Sequence, residues 1–318
     1  MYTRMKTTLR RMAAVAIVML SLSAFAAPEA EARKTLRILA IGNSFSDDAM
    51  EYLPQLLDNM DIDNVELARL YVGGCTLEQH LRFHIGGKAP YEFYRSAAGE
   101  NRWVKSKEKV SLRHALSLGK WDIITLQQAS GYSGRYESYQ PHLDALIGII
   151  RAAQPEAELA WHMTWAYSTD STHGQFADYG RDQRRMYDDI CAAVREMTRH
   201  TSAFSTVIPS GTAIQSLRMS ELNNPPKDLT RDGYHIDYGA GRYALACVWY
   251  EALVRPFARK PLRTNTLRIA KGDVAVDDRA AAYCRKAARK AVGGKFRARR
   301  IKCRRTAPSD RSHADIIK

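Results

Sequence analysis

The apolar run Leu36-Arg37-Ile38-Leu39-Ala40-Ile41 stops abruptly at Gly42-Asn43-Ser44-Phe45-Ser46, and this break most constrains what the chain can become. A short, almost wholly apolar run reads as a strand buried on both faces. Glycine at its end permits a tight turn, and Asp47 and Asp48 then open helical periodicity running to about Asn59. Strand, turn and helix in that order begin a parallel α/β layer structure. The alternation recurs: further strands are predicted over 65–72, 122–126, 159–164 and 204–208, and helices over 49–59, 142–153, 182–198 and 240–254. Segment 84–118, of mixed polarity with Tyr91, Tyr94 and Trp103, is expected to be an insertion or short helices over one sheet edge. Beyond Pro261 the periodicity weakens.

A chain of 318 residues can bury one sizeable core. Its start is different in kind. Arg4, Lys6, Arg10 and Arg11 precede a mostly apolar stretch from Met12 to Leu22, and Ala24-Phe25-Ala26 offers a small-x-small cleavage site. That is the pattern of a secretory signal peptide, too short to span a membrane. No cysteine follows the cleavage region, so a soluble exported protein without a lipid anchor, periplasmic or secreted, is expected. The formal net charge is +14, yet residues 285–318 alone hold thirteen basic and two acidic groups. With the basic start set aside, the body is near neutral, which argues against a nucleic-acid module. The domain boundaries expected are 1–26 for the signal, 27–262 for one catalytic domain and 263–318 for a basic, partly disordered extension able to touch anionic surfaces.

Cys75, Cys191, Cys247, Cys284 and Cys303 are widely spaced, with no C-x-x-C pair. An odd count leaves at least one thiol unpaired, and zinc binding has no support. Cys191 and Cys247 fall in helical patterns and read as core packing. Of the histidines, His84, His114 and His200 read as surface or packing residues. A metal site from His162, His173 and Asp170 fits no recurrent spacing, and no metal or other cofactor is expected.

Four motifs fall at the carboxyl ends of predicted strands or before the last long helix, the edge where open α/β sheets bind ligands. Ser44 follows the first strand, Gly73-Gly74 the second and Gln127-Gln128 the third, while Asp232-Gly233-Tyr234-His235 precedes the helix at 240. Serine, histidine and aspartate are the parts that make a hydroxyl nucleophilic at neutral pH. A glycine N–H at 74 and a glutamine amide, Gln128 in preference to Gln127, are candidate oxyanion donors. His162, Trp165 and Tyr167 are candidate pocket walls, with a buried core role for His162 the alternative.

Taken together the motifs resemble the SGNH (GDSL-like) hydrolase superfamily, in an exported bacterial subgroup, over about residues 35 to 255. Gly42-Asn43-Ser44 stands for its Gly-Asp-Ser block, Gly74 for the second-block glycine and Asp232-x-x-His235 for the fifth block. Asn43 replaces the usual aspartate, and Gln127-Gln128 stands where Gly-x-Asn-Asp belongs. The G-x-S-x-G elbow of α/β-hydrolases fits less well, because Ser46 holds its last position. The resemblance implies a flavodoxin-like three-layer α/β/α sandwich with a mostly parallel sheet. It also implies a serine esterase working through Ser44, His235 and Asp232, with the N–H groups of Ser44 and Gly74 and a glutamine holding the oxyanion. The expected substrate is an O-acyl, above all O-acetyl, carbohydrate or another small ester. The alternatives are a non-catalytic glycan-binding protein on the same scaffold and a sugar O-acyltransferase.

Overall fold

The computed structural model describes residues 34–303 and the backbone of 316–317; the expected signal peptide lies outside the described residues. Strand β1 (Leu36–Gly42) is buried along almost its whole length, as its apolar run requires. It leads directly into α1 (Ser44–Met50), and α2 (Leu53–Asp58) follows after a break. The single helix expected over 49–59 is therefore two, and it begins five residues earlier. Pro54 sits in the first turn of α2, where its missing N–H costs nothing, but it could not continue α1.

The remaining elements are β2 (Val65–Tyr71), α3 (Leu77–Ile85), β3 (Glu92–Ser96), β4 (Val104–Lys105), α4 (Leu112–Ser117), β5 (Ile123–Leu126), α5 (His142–Ala153), β6 (Glu158–His162), α6 (Gln183–His200), β7 (Phe204–Ile208), α7 (Ser210–Arg218), α8 (Ala240–Trp249) and α9 (Asp278–Val292). The sheet order is β4-β3-β2-β1-β5-β6-β7. The pairs from β2 through β7 are parallel, and β3 and β4 add antiparallel strands at one edge. Helices α1, α2, α7, α8 and α9 pack together on one side, and α3, α4 and α5 on the other. This is a three-layer α/β/α sandwich around a mostly parallel sheet. The order of connection reverses beside β1, so its carboxyl end opens on the crevice where ligands of such sheets bind.

Two differences from the sequence expectation have physical causes. In segment 84–118 the chain forms β3 and β4 as well as α4, not a helical insertion alone. An edge strand tolerates charge, and here Arg69 of β2 lies over the rings of Tyr94 and Trp103, at 4.8 and 4.2 Å. The second concerns the boundary at 262. Every residue of α7 is buried, and of α8 all but Arg242. Helices buried on all sides need a cover. Helix α9 provides it, burying Ala280, Ala281, Tyr283, Cys284, Ala287, Ala288 and Ala291 at helical spacing. The chain beyond stays attached: Ala298 N–H donates to the Tyr187 hydroxyl at 3.1 Å, Arg299 N–H to Ser216 Oγ at 3.1 Å, and Ile301 is buried. The packed body therefore runs past 262 to at least Ile301.

If α9 is a cover and not an appendage, Ala281→Asp should lower unfolding free energy by about 3 kcal/mol or more, since it buries an unpaired carboxylate. Lys290→Asp on the exposed face should change it by less than about 0.5 kcal/mol. Urea unfolding of the two variants decides; equal, small effects would refute the cover.

Candidate active site

Asn43 caps α1, its Oδ1 accepting the Phe45 N–H at 3.0 Å, so Ser44 becomes the first helical residue at the end of β1. Its Oγ lies 2.9 Å from His235 Nε2. His235 Nδ1 lies 2.6 Å from Asp232 Oδ2, while Asp232 Oδ1 accepts the N–H groups of His235 (2.7 Å) and Tyr234 (3.2 Å). Partial burial alone would raise the Asp232 carboxyl, but hydrogen bonds from the His235 ring and backbone outweigh it and hold it below the ordinary carboxylate range. A carboxylate only accepts, so the imidazole proton sits on Nδ1 and Nε2 is free to accept from the Ser44 hydroxyl.

Residues 191 apart in sequence meet because the loop carrying His235 is moored to α1. Asp48, four residues after Ser44 on the same helix face, is buried. Its Oδ1 accepts from Arg242 Nε (2.9 Å) and Nη2 (2.6 Å), and its Oδ2 from Arg231 Nη1 (3.0 Å) and the Ile236 N–H (3.1 Å). The loop itself depends on Gly233, whose φ of +94° suits glycine and whose Cβ would meet Ser171 Cα at 3.0 Å. Trp165 braces both halves, stacking on Phe45 at 4.2 Å and donating from Nε1 to the Tyr234 carbonyl at 2.8 Å.

The Gly73-Gly74 turn closes with Cys75 N–H donating to the Val72 carbonyl at 3.2 Å, and Gly74 adopts a φ of +63°. Among the described residues, the N–H groups of Ser44 and Gly74 make no internal hydrogen bond. Cys75 itself is buried, which pushes its thiol up to about 12, so it is no nucleophile.

The glutamines differ from expectation. Both are buried and committed elsewhere. Gln128 donates from Nε2 to Ser138, at 3.0 Å to the carbonyl and 3.1 Å to Oγ, and accepts on Oε1 from the N–H groups of Leu77 and Ala129. Gln127 donates to Asn43 Oδ1 at 2.7 Å and faces His162 Nδ1 at 2.8 Å. Gln128 turns its NH₂ to Ser138 and Gln127 turns its NH₂ to Asn43, and with the two side chains at most 2% exposed neither amide is presented to an oxyanion. The expected pocket walls are corrected too: His162, Trp165 and Tyr167 are each at most 1% exposed. His162 is locked between Gln127 and Ser210 Oγ (3.0 Å), and Tyr167 shares a hydrogen bond with Ser130 Oγ at 2.9 Å. The half-buried aromatic rim is instead Tyr234, 4.3 Å from the His235 ring, and His173, 4.9 Å from Tyr234. Sequence reasoning missed Tyr234, although it lies inside the Asp-x-x-His motif, and weighed His173 only as a metal ligand. Among the described residues no group of three His, Cys, Asp or Glu is arranged to hold a metal ion.

Two outcomes follow from these buried charges and rings. Asp48→Asn removes the charge shared by Arg231 and Arg242 and should cost about 3 kcal/mol in urea unfolding. His162 and His80 are buried as neutral rings, and burial pushes them down from 6.5 to about 3 and about 4. The unfolded chain then binds more protons in that window, so stability is full above about pH 6.5 and drains as pH falls toward about 4. The slope should reach up to about 1.4 kcal/mol per pH unit for each ring. Urea midpoints across that window test it, and a flat profile would count against neutral burial.

Comparison with known proteins adds a family. The chain is similar to a DUF4886 family protein from Bacteroides uniformis, with 34% identity, a TM-score of 0.74, and coverage of 84% of this chain and 98% of that one. It is also similar to a protein of Slackia heliotrinireducens provisionally placed among the SGNH hydrolases (19% identity, TM-score 0.48, covering 69% and 98%). A third similarity is to Axe2, an acetylxylan esterase from Geobacillus stearothermophilus (11% identity, TM-score 0.45, covering 69% and 94%). No curated protein matches the chain. Residues 37–291 match the profile described as a domain of unknown function, DUF4886, and the chain belongs to that family.

Proposed function

We propose that this protein is a serine esterase that removes a small acyl group, acetyl in the first instance, from an O-acylated carbohydrate. The observation that carries this reading is the unbroken hydrogen-bonded line Ser44 Oγ to His235 Nε2 and His235 Nδ1 to Asp232 Oδ2. Ser44 Oγ attacks the acyl carbonyl carbon as its proton passes to His235 Nε2, and Asp232 stabilises the imidazolium that forms. The carbonyl oxygen, now negative, is held by the unspent N–H groups of Ser44 and Gly74. Collapse breaks the ester C–O bond, and the alcohol leaves with the proton from His235. Water then repeats the cycle on the acyl-enzyme, with His235 as base, and releases the carboxylic acid.

With both glutamine amides committed, the oxyanion is held here by two backbone donors. That suffices for an esterase, since one such donor contributes about 3 kcal/mol to an acyl-transfer transition state. A carbohydrate leaving group is supported by the half-exposed Tyr234 and His173 rings beside the triad, which offer apolar faces to a sugar. Export is supported by the basic and then apolar start of the sequence. The outward cations Arg289, Lys290, Lys295, Arg297, Arg299 and Arg300 would then hold the enzyme near anionic surfaces.

A fluorophosphonate probe should label the wild type and not Ser44→Ala, and acetate release from acetylated xylan should fall by about 10³-fold or more in that variant. Asp232→Asn should keep the fold and lose about 10⁴-fold in kcat. Equal acetate release by the wild type and Ser44→Ala would overturn the assignment. Acylated sugar products on adding acceptor sugars would redirect it to acyl transfer.

A further inference from the structure

At the strand ends beside the candidate site, Asn43, Gln127, His162 and Ser210 form one buried hydrogen-bonded relay. The proton positions can be worked out in order. The Phe45 N–H can only donate, so the Asn43 oxygen is the atom facing it, and the Asn43 NH₂ points to the Cys75 carbonyl, 3.1 Å away. Asn43 Oδ1 lies 2.7 Å from Gln127 as well, so Gln127 must present its NH₂ there. That turns Gln127 Oε1 toward His162, 2.8 Å from Nδ1, which must then carry the ring proton. His162 Nε2 is left as an acceptor, and Ser210 Oγ donates to it at 3.0 Å. Every direction in the relay is set by one backbone N–H, and all four side chains are buried.

Asn43 therefore touches both groups that carry the candidate oxyanion donors. Its oxygen fixes the first turn of α1, which holds the Ser44 N–H. Its NH₂ holds the Cys75 carbonyl and with it the Gly73-Gly74 turn, which holds the Gly74 N–H. The geometry points to Asn43, Gln127 and His162 as positioning residues that set the separation of the Ser44 and Gly74 N–H groups. None of the three touches substrate. An aspartate at 43 would accept from Phe45 and Gln127 but would turn a carboxylate oxygen on the Cys75 carbonyl, so an amide is required once the partner is a carbonyl. The rate consequence rests on the esterase reading; the geometric consequence does not.

The test restores the superfamily's usual residue in the full chain with Asn43→Asp, alongside His162→Leu and His162→Asn, whose amide N–H can replace Nδ1–H. In ¹⁵N-labelled wild type the His162 proton should sit on Nδ1, and the Ser44 and Gly74 amide resonances should both move in Asn43→Asp and His162→Leu. His162→Asn should bring them back. Against an acetyl ester, Asn43→Asp and His162→Leu should lose about 10- to 100-fold in kcat with KM within about threefold, as expected when donors are misplaced and the binding surface is kept. His162→Asn should recover most of it. A proton on Nε2, or Ser44 and Gly74 resonances unchanged in Asn43→Asp, would overturn the relay. Should His162→Leu fail to fold, Asn43→Asp and His162→Asn carry the comparison alone. A wild type that fails to react with probe or ester defeats the esterase reading only, and the resonances still decide the relay.

Discussion

Asp48 is the point on which the site depends. A hydroxyl on the first turn after β1 and an imidazole in a loop far along the chain have no local reason to meet, and loop closure over that separation is costly. The Asp48 carboxylate removes the freedom by accepting from Arg231 and Arg242 and from the backbone N–H adjoining His235. It sits one helical turn after Ser44, so whatever it holds is held in register with the nucleophile. Buried ion pairs add little net stability compared with apolar packing, but breaking one is costly, and that asymmetry makes them suited to fixing one arrangement.

Above this anchor the strand ends are joined by side-chain amides and a neutral histidine. Low exposure makes each unmade hydrogen bond expensive, so the network has one satisfied state. The same burial that takes Gln127 and Gln128 away from an oxyanion therefore makes them useful as struts. Trp165 acts similarly by packing: its stacking on Phe45 and its bond to the Tyr234 carbonyl tie the residues beside Ser44 and His235 to one rigid ring.

How much of this was legible depended on whether the signal was local. The breaks after β1 and β2 and the Asp-x-x-His motif mark special backbone, and Ser44, Gly74, Asp232 and His235 are brought to one edge. The glutamines were legible as strand-end residues but not as to partner, because Asn43, His162 and Ser138 become their neighbours only in three dimensions. His162, Trp165 and Tyr167 were read as walls because a mixed aromatic stretch does not say how deep it lies. Asp48 was legible only as an acid opening a helix, and Arg231 and Arg242 gave no signal, since sequence does not show that two guanidiniums converge on one carboxylate. The two antiparallel edge strands were hidden by their charges, and α9 by its lysines and arginines.

That last concealment bears on how the charge itself should be understood. Helix α9 presents mostly small residues inward, which lets it approach α7 and α8 closely: Ala280, Ala281, Ala287, Ala288 and Ala291 are all buried, with Tyr283 the one large side chain among them. Its outer face must then supply all its solubility, and long cations do so while their stems shield the alanine face. With Arg279, Arg285, Lys286, Arg289 and Lys290 against Asp278, part of the net positive charge belongs to a cover that has to be polar on one side only. The basic stretch over 285–318 is thus compatible with a near-neutral body that holds Ser44, Asp232 and His235, and the two features answer to different physical demands.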